Sequence, residues 1–441
     1  MAQVHHYPPR EEILRTTSAP MPATIRTVSL VLAALGAITF IAGLFIAPTR
    51  AWVSLHFNWL FFTTISSAAV AFVAVQRITT ARWSRPVVRF LEGYVAWLPI
   101  AWVLLVLIVT FGQSHVFTWP ERELPSIPEK ALYFQPWFFL LRTIGVYTLL
   151  MALSVWYIYT SVRLDVGLVP EAGAGWARGI RERMRRGFQG ERREIHSTHS
   201  LQGRLAVFLV LLFGYGWCSL AIDLSMSLSL HFQSTMYGWQ FFMGGWVVML
   251  MTWNVITRWW ENRYGLGHMI GESTYHDLGK LCFAFSAFWG YLTFGQYLII
   301  WYANIGEHTH WFRLRLLDPW IGLTTAVFVL MFIIPFFGLM GKKPKLWAPW
   351  MIGVAACSFI GLWIHRYIEV YPSVFGEIAA LPFGIWEIGL FLGCLGLWGL
   401  GYTSFMDAFP RMRVTLMTSP HRDEVQVPVD PRTMEPLPAH E

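Results

Sequence analysis

Residues 27–47 read TVSLVLAALGAITFIAGLFIA, an uncharged run of 21 residues. As an α-helix rising about 1.5 Å per residue it covers roughly 31 Å, the depth of a bilayer's hydrocarbon core. It is too long for the apolar region of a cleavable secretory signal. It also passes into Ala47-Pro48-Thr49-Arg50 without a small-residue cleavage site, so it reads as a retained span. Working outward, nine more apolar segments follow at 52–75, 87–111, 136–161, 205–222, 237–257, 281–303, 319–340, 347–370 and 383–405.

Ten such segments predict an all-α, polytopic membrane domain over 27–405. It is preceded by a cytoplasmic tail, 1–26, and followed by another, 406–441. Backbone polar groups in lipid must be satisfied within the segment, so spans of this length are helices. Alternating segments of about ten residues, the mark of a β-barrel, are absent from the sequence. Composition agrees: 55% of residues are hydrophobic and 13% charged. Many of the 24 Trp, among them Trp259, Trp260, Trp311, Trp320, Trp347 and Trp350, fall near segment ends, where an indole suits the headgroup level.

Of the 33 Lys and Arg, 26 lie in the two tails and the even-numbered loops, counting Arg89 at the entry to the segment 87–111 with the loop before it. The other loops and the helices share Arg50, Arg122, Lys130, Arg142, Arg313, Arg315 and Arg366. The positive-inside rule therefore places both termini in the cytoplasm. The net charge of +7 faces that same side, where anionic lipid attracts it, and it gives no reason to expect nucleic acid as a partner. The Arg-rich loop 163–204 reads as a lipid-surface or docking element, or as a topogenic linker. The outer loop 113–135, with Trp119-Pro120-Glu121, suits an ordered, non-helical contact with another subunit.

Several chemistries are excluded by what is missing. Cys218, Cys282, Cys357 and Cys394 all lie within spans and none has metal-ligand spacing, so they read as apolar packers. Iron–sulfur ligation needs clustered cysteines, and a di-haem bundle needs four histidines at matched depth. Only His56 and His365 lie within spans. No phosphate-binding glycine loop or nucleophile elbow appears. No redox cofactor and no metal are expected in this chain.

Ionisable side chains inside a membrane are costly and mark function by default. Glu92, His276, Asp277 and Lys280 fall in the cytoplasmic half. His56, Arg142, Asp223, His365, Arg366, Glu369 and Glu387 fall in the outer half. His365 and Glu369, at i and i+4, share one helix face, and Glu387 lies at comparable depth. Two readings stand. One is internal ion pairing, Arg366 with Glu369 or Glu387. The other is a pair of proton half-channels using Glu92, Asp223, Asp277, His365, Glu369 and Glu387. Thr63, Thr64, Ser66, Ser67, Gln296 and Tyr297 would bridge the middle in the second reading.

Three stretches in order resemble one family. They are ITTARWSRPVVR at 78–89 with Glu92, DLSMSLSLHFQSTMYG at 223–238, and HDLGKL at 276–281 leading to QYLIIWYANI at 296–305. They are similar to the ActF membrane subunits of bacterial alternative complex III, relatives of the NrfD/PsrC quinone-reactive membrane subunits. The likeness extends over nearly all ten segments. It departs at Ser225 and Leu230, where a bulky apolar residue and a proline are expected, and the alternation around them is not helical in period.

The resemblance implies two four-helix bundles with flanking helices in the bacterial cytoplasmic membrane. It implies a quinol:cytochrome c (or oxidase) oxidoreductase complex with haem c and iron–sulfur clusters in partner subunits. Those partners are an ActC-like paralogue carrying the quinol site, an iron–sulfur protein, multihaem and monohaem cytochromes c, small membrane subunits and a terminal oxidase. This chain would then support assembly and proton translocation, with no catalytic or quinone-binding residue of its own. The rival is a quinone-binding subunit of a polysulfide/nitrite reductase-type complex, for which His56, Asp223 and His231 are the acceptor residues. A secondary transporter would show paired, Gly/Pro-broken helices in two halves, and no inverted repeat is visible.

Overall fold

Long apolar helices closed by Pro, Gly and Asn make up nearly all of the described chain. The computed structural model describes residues 11, 21–117, 119, 132–268, 270–419 and 421–425. Most of the N-terminal tail, residues 420 and 426–441 of the C-terminal one, and most of the loop 113–135, including Arg122 and Lys130, lie outside them. Among the described residues no strand occurs, and nine helices are long and apolar enough to cross a membrane. These are α1 (Ala23–Ile46), α2 (Pro48–Ile78), α3 (Val88–Thr110), α4 (Pro136–Leu168), α5 (Glu191–Leu224), α7 (Glu272–Ala303), α8 (Ile321–Gly338), α9 (Ala348–Phe375) and α10 (Ile385–Ala408). The remaining long helix, α6 (Tyr237–Tyr264), coincides with the expected segment 237–257. It is diluted by the buried polar residues Gln240, Asn254, Thr257 and Arg258, and it falls outside the nine.

Local chemistry sets the ends. Pro48 and Pro136 occupy first helical positions, where a missing N–H costs nothing. Gly265 and Asn304 close α6 and α7 in the left-handed conformation. Several helices overrun the expected segments: α4 continues to Leu168, and α5 starts at Glu191 with Glu191 and Glu194 in its first, dipole-positive turn. Most of the loop 163–204 is thus helical, with a further helix at Arg178–Arg185. An apolar window measures the depth of lipid and misses the polar turns that continue a helix into water. The run after Asp223 whose period is not helical falls on the break between α5 and α6, apart from one 3₁₀ turn at Met226–Leu228.

α2 is buried on all sides, from Ala51 to Ala74, and packs against α1, α3, α5, α6, α9 and α10. A helix with no exposed face is one that others surround. α2 is one member of a ring in which it, α3, α4 and α5 pack pairwise, and α6, α7, α8 and α9 pack in another. α1 and α10 form an antiparallel pair whose backbones meet at Gly36 and Gly393. A Cβ on Gly36 would lie 2.2 Å from the Gly393 Cα, so only glycine fits this crossing. Both termini therefore leave at one end of the array, here the terminal end; the other is the distal end.

One expectation about side chains is corrected. Of the tryptophans expected at the headgroup level, Trp260, Trp311 and Trp320 are buried, as are Trp59, Trp97, Trp217, Trp253 and Trp289, while Trp259, Trp347 and Trp350 are exposed. Internal acceptors explain part of this: Trp59 donates to the Ala101 carbonyl (2.7 Å), Trp97 to Thr63 (3.0 Å) and Trp260 to Tyr402 (3.1 Å). The segment after α10 does not simply trail away. Residues 411–415, with Met417 and Ser419, are buried beneath the terminal end.

Candidate functional site

The sequence-predicted acids separate into four buried networks and one surface pair. At the terminal end, Arg89 and Glu92 sit one turn apart at the start of α3, both fully buried, with Arg89 Nη1 2.5 Å from Glu92 Oε2. Ser161 of α4 donates to Glu92 Oε1 (2.8 Å), and Arg413 lies 3.7 Å from the same oxygen. Arg89 also pairs with Asp165 of α4. Asp165 accepts the Thr415 backbone N–H (2.9 Å) and its hydroxyl. Two guanidiniums thus face two carboxylates, and the chain past α10 closes the group.

At the distal side of α9, Arg366 and Glu369 are likewise one turn apart and ion-paired. Arg366 donates to the Phe241 carbonyl of α6 and stacks 3.4 Å over that ring. His365 Nδ1 lies 3.5 Å from Glu369 Oε1, and His365 Nε2 lies 3.3 Å from the Gln240 amide. Arg315, from the helix Gly306–Leu316, is buried. It donates to the carbonyls of Trp311 (2.9 Å), Ile368 (2.8 Å) and Glu369 (2.8 Å) and to Ser373 (2.7 Å). Glu369 Oε1 and His365 Nδ1 have no hydrogen-bond partner.

Glu387 does not join this group. Of the two pairings open for Arg366, the structure makes the one with Glu369, and Glu387 forms a fork with Arg50 of α2 (3.1 and 2.7 Å). Tyr371 (2.7 Å) and the Gly384 N–H (2.7 Å) complete its acceptor set, at the dipole-positive start of α10. Asp223 is held in a second fork by Arg142 of α4 (2.8 and 2.8 Å) and by the Tyr133 hydroxyl (2.6 Å). Asp277 stands apart: it is partly exposed near the terminal end and pairs with Lys280 of its own helix at 2.7 Å. Its place one turn into α7, outside the helix-lined interior, keeps it from the Glu92 network.

The three residues of the quinone reading are only partly gathered. His56 is fully buried and bonds the Leu224 carbonyl (2.7 Å), one residue past Asp223, whereas His231 is exposed on the α5–α6 connection. Of the bridging hydroxyls, Thr64 donates to the Leu60 carbonyl of its own helix (2.8 Å), Thr63 and Ser66 accept from Trp97 and Trp398 of other helices (3.0 and 3.1 Å), and Ser67 Oγ is buried without a hydrogen-bond partner. Gln296 lines a distal cleft of about 570 Å³ with Met226 and His308, and Tyr297 is exposed.

Sequence reasoning missed Arg89, Asp165, Arg413 and Arg315 as site residues. Arg89 was legible, since it stands three residues before Glu92 as Arg366 stands three before Glu369. Nothing local marked the others. Among the described residues no three His, Cys, Asp or Glu side chains converge as metal ligands. No protein-family model matches the sequence, and no curated protein matches it.

Chemically the networks differ in what they can accept. Asp223 and Glu387 are saturated by forked guanidiniums and hydroxyl donors. The pair Glu369 and His365 retains one acceptor oxygen and one ring nitrogen able to exchange a proton.

Proposed function

We infer that this chain is an integral membrane subunit of a quinol:cytochrome c (or oxidase) oxidoreductase complex, without a redox cofactor of its own, supporting assembly and proton translocation through two half-channels. In this reading α6 is the tenth span, α2–α5 and α6–α9 are two four-helix bundles, and α1 with α10 flanks them. The terminal end faces the cytoplasm of a bacterial cell. Haem c and iron–sulfur clusters belong to partner subunits, and quinol to an ActC-like paralogue. One observation carries the reading. Two of the three resembling stretches contribute fully buried acids, Glu92 and Asp223, to ion pairs within a helix array whose packing falls into four, four and two.

Glu92 would serve the half-channel from the terminal end, and Glu369 with His365 the one from the distal end. The test uses Glu92→Gln and Glu369→Gln. Each cation left behind keeps a partner, Arg89 its Asp165 and Arg366 the Phe241 carbonyl, so assembly persists while proton translocation per turnover falls. Normal translocation in both variants removes the proton role, and loss of assembly assigns the acids to bracing alone. Purification of the tagged chain from native membranes should bring down c-type haem and iron. After subunit separation both should reside in other chains.

A further inference from the structure

At the terminal end a hollow of about 70 Å³ lies between the end of α2, the turn that follows it, α5 and the segment 411–419. That is room for a few waters or one tetrahedral oxyanion. Gln76, Arg77, His199, Gln202 and Arg413 line it, and no carboxylate is among its walls. Glu92 and Asp165, which contact the lining residues Arg413 and Thr415, are already engaged by Arg89.

Two donors in this lining are buried without an acceptor. Ser84 donates to Gln76 Oε1 (2.7 Å), which orients the amide and leaves its Nε2 unpaired, with Gln76 only 7% exposed. Arg413, 8% exposed, spends Nη1 on Glu92 and leaves Nε unpaired. Arg77 adds charge from the opposite wall, with one N–H committed to the His199 carbonyl (3.0 Å). Buried donors without acceptors, set in a positive, acid-free recess, call for an oxygen-rich anion. The recess sits where the apolar runs of α2 and α5 end, with the buried Val73, Leu164 and Ile195 on its walls, at the level where a span gives way to polar turns. Basic recesses between membrane helices at that level take anionic headgroups.

We propose that this recess binds a phosphate oxyanion, supplied by the headgroup of an anionic phospholipid. Free inorganic phosphate is the other source of the same chemistry. The proposal concerns the chain itself and holds whichever complex the chain joins.

The test places the full chain in nanodiscs of phosphatidylcholine, with and without phosphatidylglycerol, and follows thermal unfolding. Phosphatidylglycerol should raise the midpoint by on the order of a few degrees. Arg77→Gln and Gln76→Leu, which leave the Arg89 pairs intact, should abolish the gain. If millimolar inorganic phosphate in phosphatidylcholine discs gives the same Arg77-dependent gain, the bound species is the free anion. No gain from either source, or a full gain in Arg77→Gln, overturns the proposal. Native mass spectrometry of the unaltered chain gives an arm that needs no variant: preferential retention of phosphatidylglycerol supports the site, and equal retention of phosphatidylcholine overturns it.

Discussion

The Arg-x-x-Glu pair of α3 and that of α9 share one local geometry and differ in everything around them. Arg89 and Glu92 are closed by charge: a second carboxylate, Asp165, a second guanidinium, Arg413, and hydroxyls from α4 and from beyond α10. Arg366 and Glu369 are closed by backbone. Their second guanidinium, Arg315, spends its donors on three carbonyls and a serine, so Glu369 is the lone carboxylate of its group. Glu92 Oε2 and Glu369 Oε1 both lack a hydrogen bond, but the first lies 2.5 Å from Arg89 Nη1 and the second 3.5 Å from His365 Nδ1. The same i, i+3 pair therefore sits in a charge-balanced group at one end and in a group with an excess guanidinium at the other. A motif sets which two side chains meet; what surrounds them decides how each carboxylate is compensated.

Removing the arginine from each pair should break this comparison most forcefully if it is wrong. Arg89→Gln leaves two buried carboxylates with only Arg413 nearby, a loss of about 3–5 kcal/mol, and the chain should fail to accumulate in membranes. Arg366→Gln leaves one carboxylate, that of Glu369, with the guanidinium of Arg315 still bonded to the backbone carbonyl of the same residue, so the loss should be smaller. Thermal unfolding in detergent and membrane abundance measure both, and equal losses would erase the distinction.

A gentler pair of changes asks how far each cluster depends on distant chain. Thr415→Val deletes one donor to Asp165 while sparing the backbone N–H, for about 1 kcal/mol. Ser373→Ala leaves Arg315 its three carbonyls and should cost less. The reverse order, read from unfolding midpoints, would mean that the C-terminal segment is only loosely seated.

The smallest effect tests whether that dependence extends past Thr415. Glu424 is bonded by His421 (2.7 Å), His196 (3.0 Å) and Arg192 (2.7 Å), which hold its carboxyl at about 2, below the ordinary 4.5. A depressed carboxyl contributes docking above pH 4.5 and loses it as pH falls toward 2. Hydrogen exchange of residues 421–425 should quicken over that acid window, and Glu424→Gln should show the faster exchange already at neutral pH.

Much of the helical layout was legible because its signals are local. Uncharged runs long enough for a bilayer, Pro at helix starts and Gly or Asn at helix ends can be read without knowing any neighbour. The expected His365–Glu369 proximity came from helical spacing alone. The helix ends were misjudged because polar turns such as 191–204 carry the helical hydrogen bonds outside the apolar window. Buried tryptophans such as Trp260 were misjudged because an indole placed near a segment end can meet either a headgroup or an acceptor on another helix, here the Tyr402 hydroxyl.

The sequence by itself determined that this chain is helical, that its spans are apolar, and where acids and arginines fall along each helix, since all of these follow from periods and lengths within one segment. Only the tertiary structure decided that α2 is the hub, that Glu387 answers to Arg50 and not to Arg366, and that Asp165 meets Thr415. Each of those pairings joins residues hundreds of positions or several helices apart. Charge and burial at such a meeting arise from packing, and no window along the chain contains both partners.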